Sequence, residues 1–103
     1  MEWEYLRVDE VRKKKVFLST PNDSTVIMNR KEFMNMVRGF KTLVDNSSII
    51  NSVFCPNWCL GYYGLDLVWI ELGKKYCFVR FGLYLSDLKK LGESLSDEFD
   101  RQK

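Results

Sequence analysis

Histidine is absent from this chain of 103 residues. The commonest general base near neutral pH and the commonest metal ligand are therefore missing. Any serine or cysteine triad that relies on an imidazole is excluded with them. Three cysteines, Cys55, Cys59 and Cys77, remain as soft ligands. They fall short of the four ligands that a closed structural zinc site takes. Cys55-Pro56-Asn57-Trp58-Cys59 puts three residues between two thiols, whereas a thioredoxin-like site has two. Reduced thiols are the expectation, with a Cys55–Cys59 disulfide as the alternative. The glycine-rich dinucleotide motif, the Walker lysine loop and the His-Glu-x-x-His zinc motif are all missing. Gly61-Tyr62-Tyr63-Gly64 predicts a turn or bulge, not a phosphate cradle. Asp66 and Glu71 lie five apart on one extended segment, so they point to opposite faces and do not pair. The sequence predicts a non-enzymatic protein with no cofactor and no metal.

A strong excess of charge of one sign is also lacking. Sixteen basic residues face fourteen acidic ones, for a net charge of +2. A protein held on duplex DNA by electrostatics alone carries a much more basic surface. The cations cluster as Arg12-Lys13-Lys14-Lys15 and Lys74-Lys75. Acids gather near the C-terminus as Glu93, Asp97, Glu98 and Asp100, and read as a solvated tail. Long apolar runs are missing, and no stretch approaches the roughly 20 residues of a membrane helix. The charged start, with Glu2 and Glu4, predicts no secretory leader and a cytoplasmic protein.

What the chain has is aromatic side chains, at 15% of its residues, and they need a place. Residues 3–9 and 14–20 alternate apolar with polar, as half-buried strands do. Asp9 to Lys14 reads as a charged turn between them, and Pro21-Asn22-Asp23-Ser24 as a second turn. Thr25 to Met28 is a short strand. Asn29 and Glu32 have capping-box spacing. Phe33, Met36, Val37, Phe40, Leu43 and Val44 then recur at helical spacing, although Gly39 weakens that helix. Leu65 to Leu72 suits a central strand, and Tyr76 to Phe81 a hairpin partner across Gly73-Lys74. Ser86 reads as an N-cap, and Leu88, Leu91, Leu95 and Phe99 as the stripe of a second amphipathic helix. Residues 49–64 have no clear period.

The helical stripes need one sheet face, and Leu6, Val8, Val16, Leu18, Cys77, Val79 and Leu83 supply it. Alternation then sends Trp3, Tyr5 and Arg7 to the opposite face, with Lys13, Lys15 and Phe17, and with Tyr76, Phe78, Arg80 and Tyr84. Trp69 and Glu71 fall on a later segment. Rings on an open sheet face are covered by something. A single-stranded nucleic acid fits, because bases stack on rings and phosphates take cations. A protein partner or a second copy of the chain fits as well.

Lys75-Tyr76-Cys77-Phe78-Val79-Arg80-Phe81, followed by Leu83-Tyr84-Leu85-Ser86 and a helix, has a parallel in Val26-Ile27-Met28-Asn29 and its helix. This order of a curved antiparallel sheet and then a helix, with an outward aromatic and basic face, resembles the PC4/Whirly group of single-stranded DNA-binding proteins. The resemblance implies binding of single-stranded nucleic acid on the sheet.

The sequence thus predicts one α+β domain. It has an antiparallel sheet of five or six strands with two helices on one face, and a strands-then-helix pseudo-repeat over 1–48 and 58–103. The first function reading is a binder of single-stranded DNA or RNA. In it Trp3, Tyr5, Phe17, Tyr76, Phe78 and Tyr84 stack bases, and Arg7, Lys13, Lys15 and Arg80 hold phosphates. The alternative is a small protein-binding module, such as a phage or mobile-element inhibitor of a host protein, with a homodimer as one form.

Overall fold

Three hairpin-linked strands run into a helix, and four more run into a second helix. The computed structural model describes residues 6–21, 23–49, 51–55, 58–74 and 77–102. Strands β1 (Arg7–Val11), β2 (Lys15–Ser19) and β3 (Thr25–Asn29) form an antiparallel sheet in chain order. Helix α1 (Arg30–Asn46) follows. Strands β4 (Ser52–Cys55), β5 (Trp58–Tyr62), β6 (Leu67–Lys74) and β7 (Cys77–Tyr84) form a second antiparallel sheet, again in chain order. Helix α2 (Leu85–Gln102) closes the order. The α+β class, the antiparallel pairing and the two helices agree with the sequence. The strands number seven among the described residues, and they lie in two sheets of three and four. The difference has two sources. The segment without a readable period supplies β4 and β5. Hairpins pair only neighbouring strands, and α1 separates the two meanders.

The helix starts follow local chemistry. The Asn29 side-chain oxygen accepts from the Glu32 N–H at 2.7 Å, and the Asn29 amide donates back to the Glu32 carboxylate. This is the predicted capping pair. Phe33, Met36, Phe40 and Leu43 are then buried. Helix α2 begins at Leu85, so Ser86 lies within its first turn and is not its cap. Instead the Leu85 N–H donates to the Asp66 carbonyl at 2.8 Å, which ties the end of β7 to the turn before β6.

Each helix touches both sheets. α1 packs on β2 and β3 and also on β4 and β5, while α2 packs on β1, β6 and β7. One apolar cluster therefore joins Val16, Leu18 and Met28 of the first sheet with Leu60, Val68 and Ile70 of the second. Both inner faces are buried in it. Among the described residues no helix lies on the outer faces.

Gly39 has a packing reason. The Trp58 indole lies against it, and a Cβ at Gly39 would stand 2.4 Å from Trp58 Cη2. The glycine that weakened the sequence reading of α1 is what lets this buried ring approach the helix.

The C-terminal acids are not all a solvated tail. The Glu98 carboxylate accepts from the Val8 N–H at 2.6 Å, and Gln102 donates to the Val8 carbonyl at 3.0 Å. β1 is an edge strand, and its outward backbone groups are satisfied here by α2, which also guards the edge. Glu98→Ala removes the acceptor and leaves the Val8 N–H partly buried. The expected loss is about 1–2 kcal/mol, the range for hydrogen bonds to charged groups discounted for partial exposure. A lower urea midpoint with an unchanged m-value would show it.

Candidate functional site on the outer face of the second sheet

Strand register sets three rows on the outer face of β5, β6 and β7. Gly61, Trp69 and Gly82 form one row. Cys59, Glu71 and Arg80 form the next, and Leu67 stands opposite Tyr84. Trp69 thus has a glycine on either side in its row. Its ring fills the space over Gly82, where Trp69 Cε3 and Cζ3 lie 3.7 Å from the position of a Cβ. Tyr63 folds over Gly61, with its hydroxyl 3.3 Å from the corresponding position there. The two missing side chains make room for two rings.

The next row is polar. Arg80 Nε sits 2.9 Å from Glu71 Oε1, and its guanidinium lies 5.2 Å from the centre of the Trp69 ring. The Cys59 thiol donates to Glu71 Oε2 at 3.5 Å. Between rings and carboxylate lies an open cavity of about 410 Å3, lined by Tyr63, Trp69, Gly61, Glu71, Cys59 and Asn51 among others.

Cys59 is a free thiol. Burial pushes its pKa up, and the bond to the Glu71 carboxylate and that charge raise it further, against the opposing pull of Arg80. A raised thiol pKa means less thiolate at any given pH. Cys59 should therefore alkylate more slowly at pH 8 than an unhindered cysteine. Glu71→Gln, which removes the negative charge, should speed that reaction, as read by mass spectrometry of the Cys59 peptide. An unchanged rate would contradict the assignment.

The turn between β5 and β6 is unusual. Gly64, Leu65 and Asp66 all have positive φ, at 83, 52 and 65°. Left-handed backbone is costly for leucine, yet Leu65 is 99% exposed. The Leu67 N–H donates to the Gly64 carbonyl at 3.0 Å, and the Tyr63 N–H to the Leu67 carbonyl at 3.1 Å. The turn predicted over Gly61–Gly64 is thus shifted, with Gly61 inside β5.

The site residues predicted from sequence are divided between the sheets. Arg80 and Tyr84 are exposed on the outer face just described. Phe78 stands opposite Gly73 in β7, and its side chain lies outside the described residues, as does Tyr76. The first sheet carries Arg7, Lys15 and Phe17 on its own outer face. There Phe17 pairs with Ile27, and the Arg12 guanidinium lies 4.9 Å from the centre of its ring. Lys13 is not on a strand. It sits in the β1–β2 turn, closed by the Arg12 N–H donating to the Lys15 carbonyl at 2.8 Å. The strand β1 runs on to Val11 through an irregularity near Asp9, so the turn is shorter than predicted. Trp3 and Tyr5 lie outside the described residues. Tyr63, Gly61, Gly82 and Cys59 were not legible as site residues, because only the register brings them beside Trp69 and Glu71.

A larger cleft of about 580 Å3 runs between α1 and α2. Val37, Val44 and Leu88 line it, with Arg38, Lys41, Asp45, Glu93 and Asp97 around them. It has mixed charge, and among the described residues Phe40 is the one ring that lines it. Among the described residues no group of three or more potential metal ligands is found, and no helix is long and apolar enough to cross a membrane. Comparisons with protein-family models, curated proteins and solved structures find no match for this chain.

Proposed function

We propose that this protein binds single-stranded nucleic acid, without catalysis, on the outer face of its second sheet. One observation carries the reading. Trp69 and Tyr63 are set on a floor of glycines, beside an open cavity and an arginine, on a face that no helix covers among the described residues. Bases stack on such rings whatever their sequence, at about 1–3 kcal/mol per base. Tyr84, more than half exposed, extends the platform along β7. Arg80 supplies the cation. Its bond to Glu71 is exposed on the arginine side, and exposed pairs are held weakly, at about 0–1 kcal/mol. A phosphate can take the other N–H donors of the guanidinium while Nε stays on Glu71. Arg7, Lys15 and Phe17 on the first sheet form a second patch of the same chemistry.

The test is a titration of a fluorescent 12-mer oligonucleotide with the protein at two salt concentrations. Binding in the micromolar range that weakens as salt rises is the expected result. No binding up to about 100 µM, the weak end of the usual non-specific range, would overturn the proposal.

A protein partner has one observation of its own, the fully exposed Leu65 on strained backbone. Strain of this kind persists where a site uses it, and an exposed leucine next to tyrosines suits a protein contact. Sedimentation of the protein alone would show whether that partner is a second copy.

A further inference from the structure

The cavity between Tyr63, Trp69 and Glu71 is more selective than a stacking platform needs to be. A platform that tolerates every base requires rings and cations alone. Here a carboxylate stands in the same row system as the rings, one register step from Trp69 on β6. An ionised carboxylate only accepts hydrogen bonds, and it has about four lone-pair sites. Arg80 takes one on Oε1 and Cys59 takes one on Oε2. These two partners fix the orientation of the group and leave acceptor capacity on both oxygens.

We infer that this cavity recognises guanine, with the base stacked beside Trp69 and Tyr63 and its Watson–Crick edge turned to the Glu71 carboxylate. The inference rests on the nucleic-acid reading above and names the base that the site prefers. The chemistry selects among bases. Guanine presents two adjacent donors on that edge, N1–H and the N2 amino group. A carboxylate meets two parallel donors with two oxygens, as it does with the fork of a guanidinium. Adenine and cytosine each offer one amino group beside a ring nitrogen that accepts, and that acceptor would face the carboxylate. Thymine and uracil offer a single N–H between two carbonyls. Asn51 lines the same cavity, and its side-chain amide is of the type that donates to the guanine O6. At about 410 Å3 the space lies at the low end of ligand pockets, roughly 300–1,000 Å3. That suits one nucleotide and not a longer rigid ligand.

The test compares 12-mers of thymidine that carry at their centre guanine, hypoxanthine or thymine. Hypoxanthine is guanine without the N2 amino group. The guanine strand should bind about tenfold more tightly than the all-thymidine strand, the discrimination typical of one bidentate contact. Hypoxanthine should lose most of that gain, and Glu71→Gln should abolish it. Equal binding of the three strands would overturn the inference while leaving the nucleic-acid reading standing. Failure of every strand and of guanosine monophosphate to bind would overturn both. Guanosine monophosphate is the second arm. Competition by it against the guanine strand supports the pocket. Binding of the mononucleotide with no binding of any strand would keep the guanine site and overturn the strand as its source. Because the base comparison uses the unaltered protein, it stands even if the Glu71 variant does not fold.

Discussion

Gly39→Ala should destabilise this protein, although the same change in most helices does the reverse. A mid-helix glycine is about 1 kcal/mol worse than alanine. At Gly39 the added Cβ would lie 2.4 Å from Trp58 Cη2 and 2.9 Å from Cζ3. Trp58 is only 4% exposed, and α1 packs on the strand that carries it. The ring is rigid and has little room to yield. Overpacking of this kind costs about 1–3 kcal/mol, so after the helix gain of about 1 kcal/mol the net loss is up to about 2 kcal/mol. For a domain of this size each kcal/mol lowers Tm by about 4–8 °C. Trp58→Phe shortens the ring, and Trp58 Nε1 is buried with no hydrogen-bond partner among the described residues. The double variant should therefore lose less than the sum of the single changes, with a coupling of about 1 kcal/mol. A stabilised Gly39→Ala protein would mean that the indole does not rest on α1.

Trp69→Ala carries the largest expected effect on binding. Loss of one stacked base costs about 1–3 kcal/mol, or roughly 5- to 150-fold in Kd. Tyr63→Ala should act in the same direction, because the two rings share one cavity. Stability should change little by comparison. Trp69 is only partly buried and belongs to the outer face, not to the apolar cluster. This separation of effects is the useful part of the experiment. A fall in affinity with an intact thermal transition assigns Trp69 to the interface. Unchanged affinity in a folded Trp69→Ala, Tyr63→Ala protein removes this face as the binding surface.

Alternation and helical spacing made most of the core legible. Val16 and Leu18 against Phe17, and Leu83 against Tyr84, fall on the faces that period two assigns them. Phe33, Met36, Phe40 and Leu43 behave likewise at period 3.6, as do Leu88, Leu91, Leu95 and Phe99. The Asn29–Glu32 pair marked its helix start correctly. The segment around β4 and β5 stayed unreadable for a physical reason. Among the described residues its buried positions are Trp58 and Leu60, separated by a half-buried cysteine and followed by Gly61. No strong apolar–polar contrast survives over so few residues. The division into two sheets was not legible either, since strand pairing over long range depends on how each helix lies across both. That division determines the site. A single sheet would have joined Phe17 and Lys15 to Arg80 and Tyr84, whereas two sheets put them on separate faces. The row Gly61–Trp69–Gly82 exists only in the register. In the sequence its members are isolated residues on three strands.

Two-dimensional amide NMR of the labelled protein, titrated with a guanine-containing 12-mer, tests the central claim most directly. The Trp69 indole N–H and the amides of Gly61, Glu71, Arg80 and Gly82 should move together, with shifts that shrink as salt rises. Shifts confined to the cleft between α1 and α2, around Val37, Lys41 and Glu93, would place binding elsewhere. The same would follow from a spectrum unmoved at the outer face of the second sheet, and either result would contradict the account.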